Sequence, residues 1–344
     1  MGDRNYVISP GMMGRLHKTF NTKISRDYRE KMAIDYILFI HGVNTREQRE
    51  EPHYADSLFN LLEKNAENNQ QVLKKVALYW GNVNEENENK LRNQFEASPL
   101  WKQIWFQEFR LQQILQFAGD AALYISRYVG AKVVEQLKKQ ALVNGLAKPQ
   151  PDDRLHLVTH SWGTVILFDI LFAARWDDPK VPGHDDVMMI RDAIFGISGK
   201  DPNPDQGIKI ASIHTMGSPV AIFSLTNIVP GKDGTDSPST HDITPNLQKL
   251  LESLQQERQG VKLPWKNYIH PGDPLAYPLK ELMTDLVDGD TKYLDIQDIL
   301  TQESSLFDFI IAQSLLPLLH GGDAHGSYWH NDKVAEEISL TFKT

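Results

Sequence analysis

The residues best placed to do chemistry lie between Arg154 and Leu171. A run of β-formers, Leu155 to Val158, ends in Thr159, His160, Ser161, Trp162 and Gly163. An apolar helical segment follows at once, with Val165, Ile166, Phe168 and Ile170 inside it. Strand, sharp turn and helix with a serine at the apex is a way to make a nucleophile. The turn lifts the Ser161 hydroxyl clear of a sheet. It also sets the Trp162 backbone N–H and the start of a helix beside any oxyanion that forms. Such a turn strains the serine backbone, so small residues two before and two after it prevent clashes. Gly163 meets that need, whereas Thr159 stands where glycine is commoner. The competing reading is that Ser161 only caps the helix, since serine is a favoured N-cap.

A serine nucleophile at neutral pH needs a base, and the base needs a carboxylate to fix its tautomer. In a parallel sheet flanked by helices these groups gather at the carboxyl ends of the strands. Four loops carry suitable residues there: one holds Ser161, one holds His41, Gly42 and Val43, one holds Asp273, and one before the last helix holds His325. Asp242, Asp285 and Asp290 compete with Asp273, and His320 and His330 compete with His325. His41 and His160 read as shaping their turns, and Asp120, amid apolar helix, reads as structural.

The elements that would position these groups alternate. Tyr36 to Ile40 is a continuous apolar run, which indicates a strand covered on both faces. A helix is expected near Pro52 to Asn65, then strands at Val76 to Trp80, Leu155 to Val158, Ile208 to His214 and Trp265 to His270, and a weaker one around Lys292 to Ile296. Further helices are expected from the serine turn to about Arg175, near Leu247 to Gln255, at Leu306 to Leu319 and from about Asp332. Residues 82–150 hold no strand signal. Their first part is polar, and from Trp101 to Leu137 apolar positions recur at helical spacing. That stripe reads first as core packing. Trp101, Trp105, Phe106 and Phe109 leave a substrate cap or lid as the second reading. The stretch Trp176 to Gln206 reads as an irregular insertion, residues 230–245 as a loop, and residues 1–33 as lacking clear periodicity. The whole, residues 1–344, reads as one α/β domain with a mostly parallel central sheet flanked by helices and with helical insertions.

Taken together, the chain resembles an α/β-hydrolase of the serine esterase/lipase type. The resemblance rests on Ile37 to Gly42, Val158 to Gly163, Tyr268 to Pro274 and His325 to Trp329, with Met216 to Pro219 similar to a lipase turn. Serine, acid and histidine follow one another in the chain order of that family. The resemblance implies Ser161 as nucleophile, His325 as general base and acid, and Asp273 as the carboxylate that orients it. It implies an oxyanion hole of backbone N–H groups from Trp162 and Val43, with Asn44 the alternative to Val43. It calls for no cofactor and no metal, and the substrate would be a small-molecule or lipid ester. Thioesterase or acyltransferase chemistry, and a catalytically silent binding or scaffolding module, are the alternatives.

Composition bounds these expectations. The net charge of −9 disfavours nonspecific binding to nucleic acid. The absence of cysteine excludes disulfides, thiolate metal sites and a cysteine nucleophile, and fits a cytoplasmic location. Twelve histidines invite a metal, but no His-Glu-x-x-His or His-x-x-Glu-His spacing occurs. The apolar stretch Phe307 to Leu319 is too short and too interrupted to span a bilayer, and no transmembrane segment is expected.

Overall fold

The computed structural model describes residues 33–42, 52–67, 71–83, 85–104, 107, 111, 127–146, 149–196, 207–221, 244–286, 291–302 and 324–343. Six strands form one sheet: β1 (Ile34–Ile40), β2 (Val72–Leu78), β3 (Arg154–His160), β4 (Lys209–Met216), β5 (Leu263–Ile269) and β6 (Leu294–Leu300). They lie in the order β2-β1-β3-β4-β5-β6, and every neighbouring pair is parallel. From β1 the chain steps to β2 on one side and then crosses to β3 on the other. The carboxyl ends of β1 and β3 therefore flank the point where the strand order reverses, the crevice in which open parallel sheets place their ligands.

Continuous apolarity along the strands follows from cover on both faces. On β1, Tyr36, Leu38 and Ile40 join one buried cluster while Ile37 and Phe39 join another, the period of two that a pleated strand imposes. Helices α1 (Asp56–Glu67) and α8 (Asp332–Leu340) cover the second face. The first face is covered by α3 (Arg127–Val143), α4 (Trp162–Phe172), α5 (His184–Phe195), α6 (Thr244–Glu257) and α7 (Lys280–Leu286). Every residue of α4 is buried.

One expectation needs correction. The stretch expected to be irregular after Trp176 contains α5, which starts after Gly183 and stops at Gly196, both in the left-handed region at φ 90° and 62°. Its Val187, Ile190 and Arg191 are buried one turn apart, but flanking Asp, Pro and Gly hide that pattern in the sequence. The polar segment after Asn82 also contains a helix, α2 (Glu85–Glu96). It opens with three acidic residues, favourable at a helix N-terminus, and Phe95 stacks on Trp101 at 5.7 Å. In the expected stripe from Trp101 to Leu137, Trp101 to Gln103 form a 3-10 turn, α3 runs six residues past Leu137, and most of 104–126 lies outside the described residues. The segments 1–32, 230–243 and 303–323, with Asp120, Asp242, Asp290 and His320, also lie outside them. No helix among the described residues is long and apolar enough to cross a membrane.

A polar chain runs across the sheet on the α8 face. Arg154 holds the Asp35 carboxylate through Nε and Nη2 at 2.7 and 3.0 Å. Asp35 lies 3.4 Å from His156 Nε2, His156 Nδ1 lies 2.6 Å from Ser212 Oγ, Ser212 Oγ lies 2.8 Å from His214 Nε2, and His214 Nδ1 lies 3.0 Å from Tyr268 Oη. Burial would raise the Asp35 pKa, yet bonds from His156 and Arg154 hold it below the usual carboxylate value. Burial pushes both histidines down, so they are neutral at neutral pH. The proton positions follow in order. His156 donates from Nε2 to the carboxylate, Ser212 donates to the bare His156 Nδ1, His214 donates from Nε2 to Ser212, and Tyr268 donates to His214 Nδ1. Both ring nitrogens of His156 and both of His214 have a partner.

Candidate active site

Ser161 is the residue between the end of β3 and the start of α4. Its backbone has φ 54° and ψ −130°, a combination that L-residues rarely adopt. Its N–H donates to the Met216 carbonyl at 2.9 Å, which fastens the turn to the end of β4. The side chain makes no capping hydrogen bond, so helix capping does not account for the serine. Ser161 Oγ is buried and has no hydrogen-bond partner among the described residues.

Two glycines let the backbone close around it. A β-carbon on Gly163 would collide with the His41 carbonyl and lie 2.6 Å from that of Ile40, so only glycine lets α4 begin against the end of β1. A β-carbon on Gly42 would collide with Ser161 Cβ and sit 2.9 Å from its Oγ. The turn after β1 therefore touches the serine, as the reversal of strand order requires. Thr159 is accommodated by bonding its hydroxyl to Thr164 Oγ1 at 2.8 Å. His41 is held within its turn: Trp80 N–H donates to Nε2 at 3.1 Å, which leaves the proton on Nδ1, 2.5 Å from the Gly42 carbonyl. Val43 and Asn44 lie outside the described residues.

Asp273 follows β5 in a turn closed by its own N–H on the His270 carbonyl. Its carboxylate receives three donors. His325 Nδ1 lies 3.0 and 2.9 Å from its two oxygens, Leu275 N–H donates to Oδ1 at 3.0 Å, and Tyr328 O–H donates to Oδ2 at 2.7 Å. Burial would raise its pKa, but the bond from His325 and the other donors keep it below the ordinary value. The carboxylate stays ionised, and the proton of the His325 ring is fixed on Nδ1. That leaves Nε2 as the free face of the imidazole, and it too is buried with no partner among the described residues.

Tyr328 was not singled out by the sequence. Its hydroxyl accepts the His270 N–H at 2.9 Å, so its own proton is directed to Asp273. Burial first, and then the Asp273 charge, raise its pKa and keep it a donor. The spacing His325-x-x-Tyr328 was the available signal, but nothing in it says that the phenol turns inward. Gly217 was noted only as part of a turn. It has φ 55°, and a β-carbon there would lie 2.5 Å from Asp273 Oδ2 and 3.1 Å from His325 Nδ1. The Asp–His pair thus packs directly on the backbone at the end of β4, next to the Met216 carbonyl that holds Ser161. Of the rivals within the described residues, Asp285 is exposed on α7. His330 is exposed too and closes the 3-10 turn Ser327–His330, ahead of α8, which Asn331 caps.

The structure therefore brings Asp273 and His325 into contact and sets Ser161 against the same strand end. Ser161 Oγ and His325 Nε2 are not bonded to each other. Both keep an unsatisfied hydrogen-bonding position in a buried setting, where such an atom costs on the order of 1–3 kcal/mol. Chemically the set can deprotonate a hydroxyl, hold the resulting imidazolium against a carboxylate and return the proton. No family model matches the chain, and neither a curated protein nor a solved structure matches it.

Proposed function

We propose that this chain is a serine hydrolase with the α/β-hydrolase fold, cleaving carboxylic esters through an acyl-enzyme. One observation carries the reading: Ser161, in a strained turn between strand and helix, and His325, fixed by Asp273, each keep a buried polar atom without a partner among the described residues. In this reading Ser161 Oγ attacks the ester carbonyl while His325 Nε2 takes its proton. The tetrahedral oxyanion is held by backbone N–H groups of Trp162 and Val43. The bond to the alcohol breaks as His325 protonates the leaving oxygen. Water then attacks the acyl-serine, gives one proton to His325 and releases the acid, and that proton returns to Ser161. The aromatic residues of the 82–150 insertion favour an ester with an apolar acid part. A thioester or an acyl acceptor other than water would use the same atoms.

The test is hydrolysis of p-nitrophenyl esters from acetate to palmitate by wild type, Ser161→Ala and His325→Ala. Loss in both variants supports the reading, and equal rates in all three proteins refute it. A second reading, a silent fold used for binding, draws on the missing bond between Ser161 and His325. Catalytic hydrogen bonds are often long before substrate binds, so this absence does not favour silence. A fluorophosphonate separates the two, because a silent fold leaves Ser161 unlabelled.

A further inference from the structure

We propose that His160 is a positioning residue that couples the Ser161 turn to His325 and so sets where the base stands relative to the nucleophile. The inference rests on the roles proposed above for Ser161 and His325. His160 is the last residue of β3 and the chain neighbour of Ser161. Its Nε2 lies 2.5 Å from the backbone carbonyl of His325. A carbonyl only accepts, so the proton sits on Nε2 and Nδ1 is bare. Nδ1 has no partner among the described residues, although His160 is buried. The residue beside the nucleophile is thus bonded to the residue that carries the base, across 165 positions of sequence.

The geometry explains why such a bond is useful. The Asp273 contact fixes the His325 ring at Nδ1 alone, and a ring held at one atom can still swing about it. The His160 bond holds the same residue at its main chain, and two fixed points determine where Nε2 lies. The His160 ring stands 4.5 Å from that of His325, 5.8 Å from Tyr328 and 5.4 Å from Trp329, so it also fills the space into which His325 would tip. Burial, and then the neighbouring His325 charge, push the His160 pKa down to about 3. It therefore stays neutral when His325 becomes an imidazolium, and a second positive ring at this separation would oppose that step. His160 acts as a strut and takes no part in proton transfer.

Two substitutions separate the bond from the bulk. His160→Phe keeps a ring and removes the donor. His160→Gln loses the ring but places an N–H donor near the Nε2 position. The readouts are kcat and KM on a p-nitrophenyl ester, together with the His325 Nδ1–H proton resonance, which needs no turnover. His160→Phe is expected to lower kcat by about 10- to 100-fold with KM little changed, the cost of a small misplacement of a reacting group, and to broaden or abolish the resonance. His160→Gln is expected to restore the resonance and most of kcat. Should His160→Phe not fold, His160→Asn, whose amide is too short to reach the carbonyl, takes its place. Wild-type kcat and resonance in the donor-less variant would overturn the proposal, as would equal damage from Gln and Phe. If Ser161→Ala proves as active as wild type, the hydrolase reading fails, and the resonance still decides whether His160 sets the His325 ring.

Discussion

Two sets of aspartate, histidine and serine lie on this one sheet. Asp35, His156 and Ser212, extended by His214 and Tyr268, run across the strands under α8. Asp273 and Ser161 stand at the carboxyl ends of β5 and β3, and His325, in a helical turn just before the 3-10 turn Ser327–His330 and not in the loop expected from the sequence, joins Asp273 there. Residue types do not tell them apart, and neither does burial. In the first set every ring nitrogen has a partner, and the backbones belong to regular strands. In the second, Ser161 Oγ and His325 Nε2 have none among the described residues, and the serine backbone sits at φ 54°. A satisfied network has nothing left to offer a substrate, whereas an unsatisfied and strained one does. The difference separates a structural use of these residues from a chemical one.

Exchange of the two serines tests that contrast most severely. Ser161→Ala should lower ester hydrolysis by about 10⁴-fold or more. Ser212→Ala should leave kcat unchanged and lower unfolding stability by about 1–3 kcal/mol, because His156 Nδ1 loses its partner and His214 Nε2 keeps only Thr341 Oγ1 at 3.3 Å. Activity lost in both, or in neither, would break the distinction.

The next effect is on stability against pH. His156 and His214 are buried and neutral, with folded pKa values below the unfolded 6.5. Below pH 6.5 the unfolded chain therefore binds more protons than the folded one. Stability is complete above that pH and falls as the solution is acidified. Urea unfolding should show stability falling as the pH is lowered from 7.5 to 5.5, with His160, whose folded pKa is about 3, adding to the loss in the same window. A flat profile would mean that the buried chain is not neutral as described.

Gly217→Ala addresses the other set. A methyl group there strikes the Asp273 carboxylate at a positive φ, and kcat should fall by about 10²-fold with the buried polar chain intact. Tyr328→Phe is the mildest change. It removes one of three donors to Asp273, and a loss of about 10-fold in kcat, with KM unchanged, is expected in the ester assay.

Much of the framework was legible because it depends on local chemistry. Apolar runs pointed to five of the six strands, the weaker expectation around Lys292 to Ile296 overlaps β6 only at Leu294 to Ile296, and the serine turn is visible in Ser161 and Gly163. α5 was hidden because its apolar positions are few and its flanks read as loop. The polar chain left a trace that the strand assignments did not use. His156, Ser212 and His214 sit at alternate positions inside strands covered on both faces, and polar groups there must find one another. Tyr328 and Gly217 were not legible as parts of the site, since each acts through a neighbour more than 50 residues away. Asp273 and His325 could be nominated from their loops, but only the folded chain shows their bond.

The Ser161 backbone has a consequence for any attempt to make this protein hardier. Its conformation costs about 1–3 kcal/mol in a side-chain-bearing residue, a sizeable part of the roughly 5–15 kcal/mol that holds a domain folded. Glycine adopts the same angles without that cost. Ser161→Gly should therefore melt later than the parent while losing the hydroxyl, and selection for heat tolerance alone would drift toward it. A screen on this chain has to score turnover alongside melting, or its best survivors will be inert.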